Sequence, residues 1–286
     1  MPELPEVEIV KQSLKKKIKL KKIKKVVVKN RNLRLRLHKD FEKNLNNRLI
    51  RKILRISKYL IIELDNYKYC VIHLGMSGTI HLIDKRKNNK TNLSFYHSDI
   101  LPKKHNHIEI FFSNFKIVYN DPRRFGYFLI LNSKSELNNF FLRIGPEVLS
   151  KKFNFKYLKK NLINKKKNIK NILLDQKFVS GIGNIYSNEI LFYCKIHPNR
   201  PGFKITNKDI KKIILFSKFV IEKAIKYGGS TIRDFKNTKG LIGSFQREFN
   251  VYKRQNQNCL RNSCNGKIIR KFISNRSCFF CNSCQK

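Results

Sequence analysis

Four cysteines near the end of the chain are the feature that most constrains its fold. They follow the spacing C-x4-C, sixteen intervening residues and C-x2-C, and they are Cys259, Cys264, Cys281 and Cys284. Four thiolates at such spacings can surround one Zn2+ ion tetrahedrally from two turns. The spacing therefore predicts one structural zinc ion per chain.

The residues between the two cysteine pairs predict a β-hairpin. Residues 267–273 and 277–280 alternate in polarity, and the hairpin that they predict carries Arg270, Lys271 and Arg276. On a zinc-bound hairpin these cations would lie beside a phosphate backbone or a base edge. A zinc ribbon that only stabilises the fold is the alternative interpretation.

The charge of the chain points to a polyanionic partner. Its 286 residues include 63 Lys and Arg against 19 Asp and Glu, a formal net charge of +44. Such a chain repels itself unless counterions or a polyanion neutralise it, and nucleic acid is the natural partner. Part of the excess is also expected from drift in an A/T-rich gene, because Lys, Asn and Ile dominate throughout, including the loops.

The sequence favours a cytoplasmic monomer that makes no contact with a membrane. No stretch approaches the roughly 20 apolar residues that a membrane span needs, and the N-terminus is acidic where a signal peptide would be basic. Disulfides are not expected in the cytoplasm. The three remaining cysteines, Cys70, Cys194 and Cys278, are therefore interpreted as small apolar residues.

The first half of the chain predicts one helix followed by strands. Apolar residues recur at helical spacing over residues 2–17, with Glu3 and Glu6 in the first turn, where carboxylates favour the helix dipole. Strand-like runs separated by polar turns follow at Lys25–Val28, Tyr59–Leu64, 69–74, 108–112 and Tyr127–Leu131. Repeated strands after a single helix indicate a β-sandwich.

The second half predicts helices. Gly145-Pro146-Glu147 has the form of a helix start, and helical runs follow at 157–162, Ile169–Leu174, 185–193 and 210–227. Gly228-Gly229 ends the last of them, and a mobile loop is expected at 236–243. The overall class is α+β, divided into residues 1–132, 133–248 and 249–286.

The N-terminus carries a candidate nucleophile. Removal of Met1 would leave Pro2 with a free secondary amine, and a free α-amino group has a pKa of about 8. Such an amine is partly unprotonated at neutral pH, so it can attack a sugar C1′ and form an iminium. Glu3 beside it could shuttle protons. Taken alone, Pro-Glu is more often an ordinary helix start.

Five motifs, found along the chain in the same order as in a known family, favour the catalytic interpretation of Pro2. MPELPEVE, HLGMSG, DPRRFG, GIGNIY and the four-cysteine segment together resemble the formamidopyrimidine-DNA glycosylase family, which also includes endonuclease VIII. The resemblance implies a β-sandwich, a helix-two-turn-helix domain and a zinc finger. It also implies a bifunctional DNA glycosylase and AP lyase that removes oxidised purines from double-stranded DNA by β,δ-elimination.

The resemblance implies a role for individual residues near the reaction. Pro2 matches the family's Schiff-base nucleophile and Glu3 its acid/base residue, with Glu6 in support. Lys58 matches a catalytic lysine, which suits a phosphate clamp or proton donor. Arg276 matches the zinc-finger arginine assigned to the second elimination.

Further residues match the family's DNA contacts. Met76, Arg123 and Phe125 match the three that fill the void left by a flipped nucleotide, with Arg123 on the opposing cytosine. The predicted phosphate-binding residues are His105, Lys166, Lys170 and Asn184. His105 and His107 could alternatively suggest a metal site, but no third ligand clusters with them. The loop from Ser230 to Ser244 matches a lesion-capping region.

One departure and two alternatives accompany the resemblance. The first cysteine pair is C-x4-C where the family usually has C-x2-C, which puts zinc affinity more than the fold in doubt. An oxidised-pyrimidine enzyme of the endonuclease VIII type is one alternative, which the PELPEVE motif and the set Met76, Arg123 and Phe125 argue against. A non-catalytic zinc-finger DNA-binding relic is the other, and the retained Pro2, Glu3 and Lys58 argue against it.

Overall fold

The computed structural model describes residues 2–84, 90–92, 103–230 and 244–286. Its contacts divide the chain into two compact units. The first unit comprises Met1–Leu142 and Tyr227–Gln246, and the second comprises Arg143–Lys226 and Arg247–Lys286. The α+β class predicted from the sequence is confirmed.

The first unit contains three helices and nine strands among the described residues. The helices are α1 (Leu4–Ile18), α2 (Phe41–Leu45) and α3 (Lys134–Phe141). The strands are β1 (Lys25–Val28), β2 (Ile50–Ile56), β3 (Tyr59–Leu64), β4 (Tyr69–His73), β5 (Thr79–Asp84), β6 (Lys90–Asn92), β7 (Asn106–Phe111), β8 (Phe115–Asn120) and β9 (Tyr127–Leu131). The helix and the strands predicted for this part of the sequence are confirmed to within two residues at each end.

These strands form the predicted β-sandwich. Over the described residues one sheet has the order β1-β7-β8-β5-β6 and the other the order β2-β3-β4-β9, both antiparallel. Their facing side chains share one apolar core with α1 and α2, to which Val10, Ile62, Ile110 and Phe128 belong. Burial of this apolar area is the main force that holds the unit together.

The second face of the four-stranded sheet is covered by α3. Leu137 of that helix packs with Ile61 and Val71, whose neighbours Leu60 and Ile72 point into the sandwich core. Because successive side chains of a strand point to opposite faces, β3 must be apolar at nearly every position when both faces are covered. Its sequence YLIIEL meets this requirement.

The second unit is helical with a terminal hairpin. It contains α4 (Phe155–Leu162), α5 (Ile169–Leu174), α6 (Asn184–Cys194), α7 (Asn207–Lys226), β10 (Ile268–Ile273) and β11 (Arg276–Cys281). Asn154 and Asn168 cap α4 and α5, since their side-chain oxygens accept from the backbone nitrogens of Tyr157 and Asn171 at 3.0 and 2.9 Å. None of the described helices has the length and apolar character to cross a membrane.

The predicted helix start at Gly145-Pro146-Glu147 is wrong. No helix begins there, and the next one along the chain is α4. The carbonyl of Pro146 instead accepts from the backbone nitrogen of Ser180 at 3.0 Å, and Glu147 forms a parallel bridge with the same residue. Pairing with a distant segment therefore overrides the local signal of the Pro-Glu pair.

A buried carboxylate joins α6 to the segment that leads into the hairpin. Glu189 is fully buried, and its Oε1 accepts from the backbone nitrogens of Val251 and Tyr252 at 3.0 and 2.9 Å. Its Oε2 accepts from the backbone and the side chain of Asn250 at 2.9 and 3.1 Å. Burial raises the pKa of Glu189, and these hydrogen bonds oppose that rise. The carboxylate thus organises the backbone of residues 250–252.

Candidate active site

The start of α1 holds the predicted nucleophile and acid/base residue. Pro2 and Glu3 are both buried, and α1 begins directly after them, at Leu4. The backbone nitrogen of Glu3 donates to Oε2 of Glu6 at 2.8 Å. A glutamate at the third helical position commonly returns to the residue before the helix in this way. The chain entering the helix is thereby held in one orientation.

The other oxygen of Glu6 binds a residue far along the chain. Its Oε1 accepts from the backbone nitrogen of Ser230 at 2.8 Å and from the hydroxyl of Ser230 at 2.9 Å. Gly229 comes so close that an added Cβ would lie 3.2 Å from the same oxygen, and its φ is +84°. A glycine is required there because other residues rarely adopt this backbone conformation.

The segment after Ser230 is the predicted lesion-capping loop. Residues 231–243 lie outside the described residues, so only the two ends of the loop can be placed. The backbone nitrogens of Ser244 and Phe245 donate to the carbonyls of Tyr227 and Gly229 at 2.9 and 3.3 Å. Both ends of the loop are therefore hydrogen-bonded together beside the residue that Glu6 binds.

Lys58 lies in a tight turn that is coupled to α1. Ser57 and Lys58 connect β2 to β3, and Ser57 has a φ of +55°. Arg55 donates to the carbonyl of Ser57 at 2.8 Å and to Oε2 of Glu8 on α1 at 2.9 Å. Burial raises the pKa of Glu8, but hydrogen bonds from Lys11 and Arg55 outweigh this and leave its pKa below the usual value. Lys58 itself is only 5% exposed.

The three predicted void-filling residues line one open cleft, which we call the wedge cleft. It has a volume of about 710 Å3 and is also lined by Arg34, His73 and Arg124. Met76 and Phe125 are each 40% exposed, so both present apolar surface to this cleft. The guanidinium of Arg123 lies 4.5 Å from the ring centroid of Phe125, a cation–π contact. The sequence motifs HLGMSG and DPRRFG thus meet at one cleft, and the void-filling role of their residues stays a prediction.

A buried carboxylate holds the two wedge-bearing turns together. Asp121 is 0% exposed, and it accepts from the hydroxyl of Ser77, from the hydroxyl of Tyr119 at 2.9 Å and from the backbone nitrogen of Gly126 at 2.8 Å. Ser77 in turn accepts from the backbone nitrogen of Arg123 at 3.2 Å. Met76 and Phe125 therefore project from loops that share one polar network.

His73 supports the same cleft in its neutral form. Its Nδ1 accepts from the backbone nitrogen of Gly75 at 3.1 Å, and its ring stacks on Tyr127 with centroids 5.4 Å apart. Burial, together with the charges of Lys58 and Arg34, lowers the pKa of His73 to about 4. A neutral imidazole is needed here, because a protonated Nδ1 could not accept the hydrogen bond of Gly75.

The predicted DNA-binding histidine is attached to the wedge turn through its backbone. His105 is half-buried, and its carbonyl accepts from the backbone nitrogen of Asp121 at 3.0 Å. His107 is buried, and its Nε2 lies 2.8 Å from the carbonyl oxygen of Asp121. The two histidines therefore flank the same residue, and only His105 reaches solvent appreciably.

In the second unit, two predicted phosphate-binding residues meet the hairpin instead of solvent. Lys170 is fully buried, and its Nζ donates to the carbonyl of Ser277 at 3.0 Å. Asn184 donates to the same carbonyl at 3.1 Å. Lys166, by contrast, is exposed. The phosphate contacts assigned to these residues stay predictions, and the observed contacts give Lys170 and Asn184 a part in holding the residue next to Arg276.

Arg276 follows the tip of the hairpin and is exposed. It begins β11 and pairs with Ile273 across a turn in which Ser274 and Asn275 have φ values of +48° and +59°. Such left-handed pairs form the tight turns that match the twist of a hairpin. Asn171 of α5 donates to the hydroxyl of Ser274 at 2.6 Å. The tip that carries Arg276 is therefore fastened to a helix.

The four cysteines predicted to bind a metal lie together. The sulfur atoms of Cys259, Cys264, Cys281 and Cys284 are all within 4.8 Å of one another and could hold a metal ion. Hydrogen bonds of the backbone shape the first knuckle, since the nitrogen of Cys259 donates to the carbonyl of Gly266 at 2.8 Å. The sequence pattern was sufficient to identify this cluster.

The longer first knuckle makes a contact with α6. Arg261, inside the C-x4-C segment, donates to the carbonyl of Phe192 at 2.7 Å, and its guanidinium lies 4.6 Å from the ring centroid of Phe192. Ser263 takes up the turn with a φ of +59°. The inserted residues are thus packed against the end of a helix.

Three residues that organise these sites were not among the functional residues predicted from the sequence. They are Ser77, Asp121 and Glu189, each buried and hydrogen-bonded to backbone or side chains of other segments. Ser77 and Asp121 lie within motifs that were recognised, so the signal was present there. Glu189 shows no local sign of burial except that it lies among apolar residues on α6.

Comparisons with known proteins agree with this architecture. The profile of the formamidopyrimidine-DNA glycosylase N-terminal domain matches residues 1–128, and that of the formamidopyrimidine-DNA glycosylase H2TH domain matches residues 144–236. A protein of Rickettsia bellii named formamidopyrimidine-DNA glycosylase is 42% identical over the full length of both chains. A protein of the same name from Wolbachia of Drosophila simulans is 40% identical, also over both full lengths.

Solved structures are also similar over the whole chain. One is a Lactococcus lactis Fpg mutant in complex with DNA containing Fapy-dG, with a TM-score of 0.87 and 31% identity over 100% of both chains. Another is Lactococcus lactis Fpg in complex with DNA containing an abasic site, with a TM-score of 0.87 and 30% identity over 99% of both chains. The chain therefore belongs to the formamidopyrimidine-DNA glycosylase family.

Proposed function

We propose that this protein removes oxidised purines, such as 8-oxoguanine and formamidopyrimidines, from double-stranded DNA and then cleaves the resulting abasic site. The observation that carries the proposal is the convergence of Met76, Arg123 and Phe125 on one cleft. An enzyme that flips a nucleotide needs an apolar wedge and a donor for the orphaned base, and these side chains provide both. The relatives bind lesion-containing DNA, which agrees with this use of the cleft.

The chemistry assigned to the start of α1 follows from its amine. With Met1 removed, the nitrogen of Pro2 attacks C1′ of the extruded nucleotide. The glycosidic bond between C1′ and the base nitrogen breaks, and the damaged base leaves with a proton. Opening of the sugar gives an iminium, which makes the C2′ proton acidic. Loss of that proton breaks the C3′–O3′ bond, and loss of the C4′ proton then breaks the C5′–O5′ bond. Water hydrolyses the iminium, which frees the nitrogen of Pro2, releases the sugar remnant and leaves a one-nucleotide gap.

Three further residues take part in the proposed reaction. Glu3, buried beside Pro2, carries protons to and from the reacting sugar. The ammonium of Lys58 pairs with a phosphate or donates a proton during elimination. Arg276 brings its guanidinium fork to the phosphates for the second elimination, and His105, Lys166 and Asn184 are proposed to position the DNA backbone. The buried Lys170 is proposed to act on the DNA backbone only indirectly, through its hydrogen bond to the carbonyl of Ser277.

The cysteine cluster is proposed to hold one structural Zn2+ ion. Zn–S bonds of about 2.3 Å in a tetrahedron place the sulfur atoms about 3.8 Å apart. The pairs Cys259–Cys284 and Cys264–Cys281 have sulfur distances of 3.9 and 3.6 Å, which fit this spacing. The ion would keep the hairpin and Arg276 in place and would not enter the reaction. The division into residues 1–132, 133–248 and 249–286 belongs to the same proposal.

Borohydride trapping tests the proposed reaction. Purified protein, with loss of Met1 verified by mass, is incubated with duplexes that contain 8-oxoguanine opposite cytosine or thymine glycol, beside a Pro2→Gly variant. The proposal expects a covalent adduct on the 8-oxoguanine duplex that is lost or strongly reduced in the variant. Binding without an adduct on either duplex would instead support a non-catalytic DNA-binding protein, and an adduct only on thymine glycol would support the endonuclease VIII type.

A further inference from the structure

A second cationic recess lies beside the wedge cleft in the first unit. This α2 groove has a volume of about 680 Å3 and lies between α2 and the edge strand β9. Its basic lining residues are Arg36, His38, Lys43, Arg48 and Lys68, and Asp40 is the one acidic residue among the described lining. The nearby Glu42 does not oppose this charge, because Arg31 binds both of its oxygens at 2.6 and 2.7 Å.

Two of the groove's cations, Arg48 and Lys68, are half-buried. Lys68 is half-buried and its Nζ is held by Oδ1 of Asn44 at 2.7 Å. The Nε of Arg48 is buried and finds no hydrogen-bond acceptor in the described part of the chain. The rest of the Arg48 side chain is half-buried and lines the groove, where its guanidinium can donate to an anionic oxygen.

The lining also indicates which part of a nucleic acid fits. Phe41 and Phe128 lie at the floor of the groove, but they are only 1% and 3% exposed. The groove therefore offers no aromatic face on which a base could stack. Cations and amides around an inaccessible aromatic floor suit phosphate oxygens, not bases.

One loop connects the groove to the wedge cleft. Asn32 and Arg36 form a bridge that closes this loop, Arg34 at its tip lines the wedge cleft, and Arg36 lines the α2 groove. The backbone nitrogen of Arg34 donates to the carbonyl of Gly126 at 3.2 Å, which joins the loop to the turn that carries Phe125. Positive charge therefore continues from the predicted contact with the orphaned base into the groove.

We propose that the α2 groove binds the sugar-phosphate backbone of the undamaged DNA strand, several nucleotides from the orphaned base. This inference rests on the proposed function, since it takes Arg123 as the contact to that base. The chain from Phe125 through β9 to Ile130 spans at most about 16 Å at 3.3 Å per residue. One strand of B-DNA carries a phosphate every 3.4 Å of helix axis, so a DNA strand that runs parallel to β9 would place phosphates about four to six positions away in the groove.

The test compares two charge-matched double variants of the full-length protein. Arg36→Gln with Lys43→Gln removes two exposed cations of the groove, and Lys15→Gln with Lys16→Gln removes two exposed cations of α1. Affinity for a duplex with a tetrahydrofuran abasic analogue is measured over a salt series, with circular dichroism as the check on folding. The groove variant is expected to bind about ten-fold more weakly at 0.15 M salt, and the negative slope of its log K against log salt is expected to be about two units smaller in magnitude. Equal affinities and slopes for the two variants would overturn the proposal.

Neutral methylphosphonates locate the contact on the DNA. Placed four to six nucleotides from the orphaned base on the undamaged strand, they are expected to weaken binding of the native protein and to have little further effect on the groove variant. An effect confined to the damaged strand would overturn the assignment. Borohydride trapping of the native protein separates this proposal from the proposed glycosylase activity. A covalent adduct with no loss of affinity in the groove variant would refute only the proposed role of the groove. A loss of affinity in the groove variant with no adduct would refute only the glycosylase activity.

Discussion

Glu6 and Ser230 are 224 residues apart in the sequence but are joined by two hydrogen bonds. The backbone nitrogen and the hydroxyl of Ser230 both donate to Oε1 of Glu6, at 2.8 and 2.9 Å. The other oxygen accepts from the backbone of Glu3 at 2.8 Å. One side chain thus fastens both the residue next to the proposed nucleophile and the near end of the predicted lesion-capping loop. We propose that Glu6 keeps these two segments in register during catalysis.

The change Glu6→Gln tests this relationship. In either orientation, the amide of the glutamine would place its N–H group against one of the donors, the backbone nitrogen of Glu3 or the two groups of Ser230. We therefore expect a loss of about 1–3 kcal/mol in the free energy of unfolding. Excision under single-turnover conditions should also slow. Ser230→Ala is the milder comparison, because it removes the hydroxyl and keeps the backbone donor. A Glu6→Gln protein as stable and as fast as the native one would contradict this role.

Asp121 is expected to control the wedge residues without touching DNA. In Asp121→Asn the amide opposes at least one of the donors Ser77, Tyr119 and Gly126, so we expect a destabilisation of about 2–3 kcal/mol. Tyr119→Phe removes a single hydrogen bond and should cost about 1 kcal/mol. Urea unfolding gives both values. Equal effects of the two substitutions would show that the carboxylate is not the centre of the network.

His73 is expected to make the free energy of unfolding depend on pH. Its pKa in the folded state is about 4 against an ordinary 6.5, so between these values the unfolded chain binds the proton more readily than the folded one. The free energy of unfolding should therefore fall as the pH drops from 6.5 to 4, by at most about 3 kcal/mol from this residue, and level off below.

The variant His73→Phe keeps the ring on Tyr127 and cannot take up a proton. Unfolding in urea at several pH values between 4 and 7 should show a shallower loss of stability for this variant than for the native protein. The difference between the two curves isolates His73 from the carboxylates that titrate in the same range. Parallel curves would mean that His73 has an ordinary pKa in the folded state.

Glu189→Gln is expected to loosen the backbone that leads to the cysteine cluster. Both carboxylate oxygens accept from two donors each, so a glutamine places its N–H groups against one pair of them. We expect a destabilisation of about 2–4 kcal/mol and faster release of bound metal to a chelator. Glu222→Gln, on an exposed position of α7, is the matched control. Identical metal release from the two variants would argue that the segment 250–252 does not depend on the carboxylate.

The sequence predicted the elements whose boundaries are set locally. β1, β3 and β9 were predicted with their observed bounds, because each is a short apolar run between polar turns. The cysteine spacing and the wedge motifs led directly to residues that the structure brings together. The helix start predicted at Pro146 was wrong because the backbone of Pro146 pairs with Ser180. A local sequence pattern carries no information about such a distant partner.

The orientation of polar side chains was beyond the sequence for the same reason. From the sequence alone, a lysine on a short helix can be interpreted as a phosphate ligand or as a donor to the protein's own backbone. In the structure Lys170 is buried and donates to the carbonyl of Ser277. Asp121 is a surface-type residue in a turn motif, yet it is fully buried because three donors from separate segments converge on it. Such roles depend on which distant segments meet, which only the fold reveals.

Peptide mapping of the trapped complex tests whether the nitrogen of Pro2 forms the covalent intermediate. The borohydride-reduced adduct with 8-oxoguanine DNA is digested with nuclease and protease, and the sugar remnant is located by tandem mass spectrometry. We expect the remnant on the nitrogen of Pro2, at the N-terminus of the first peptide. A remnant on Lys58 or any other lysine, with Pro2 unmodified, would contradict it.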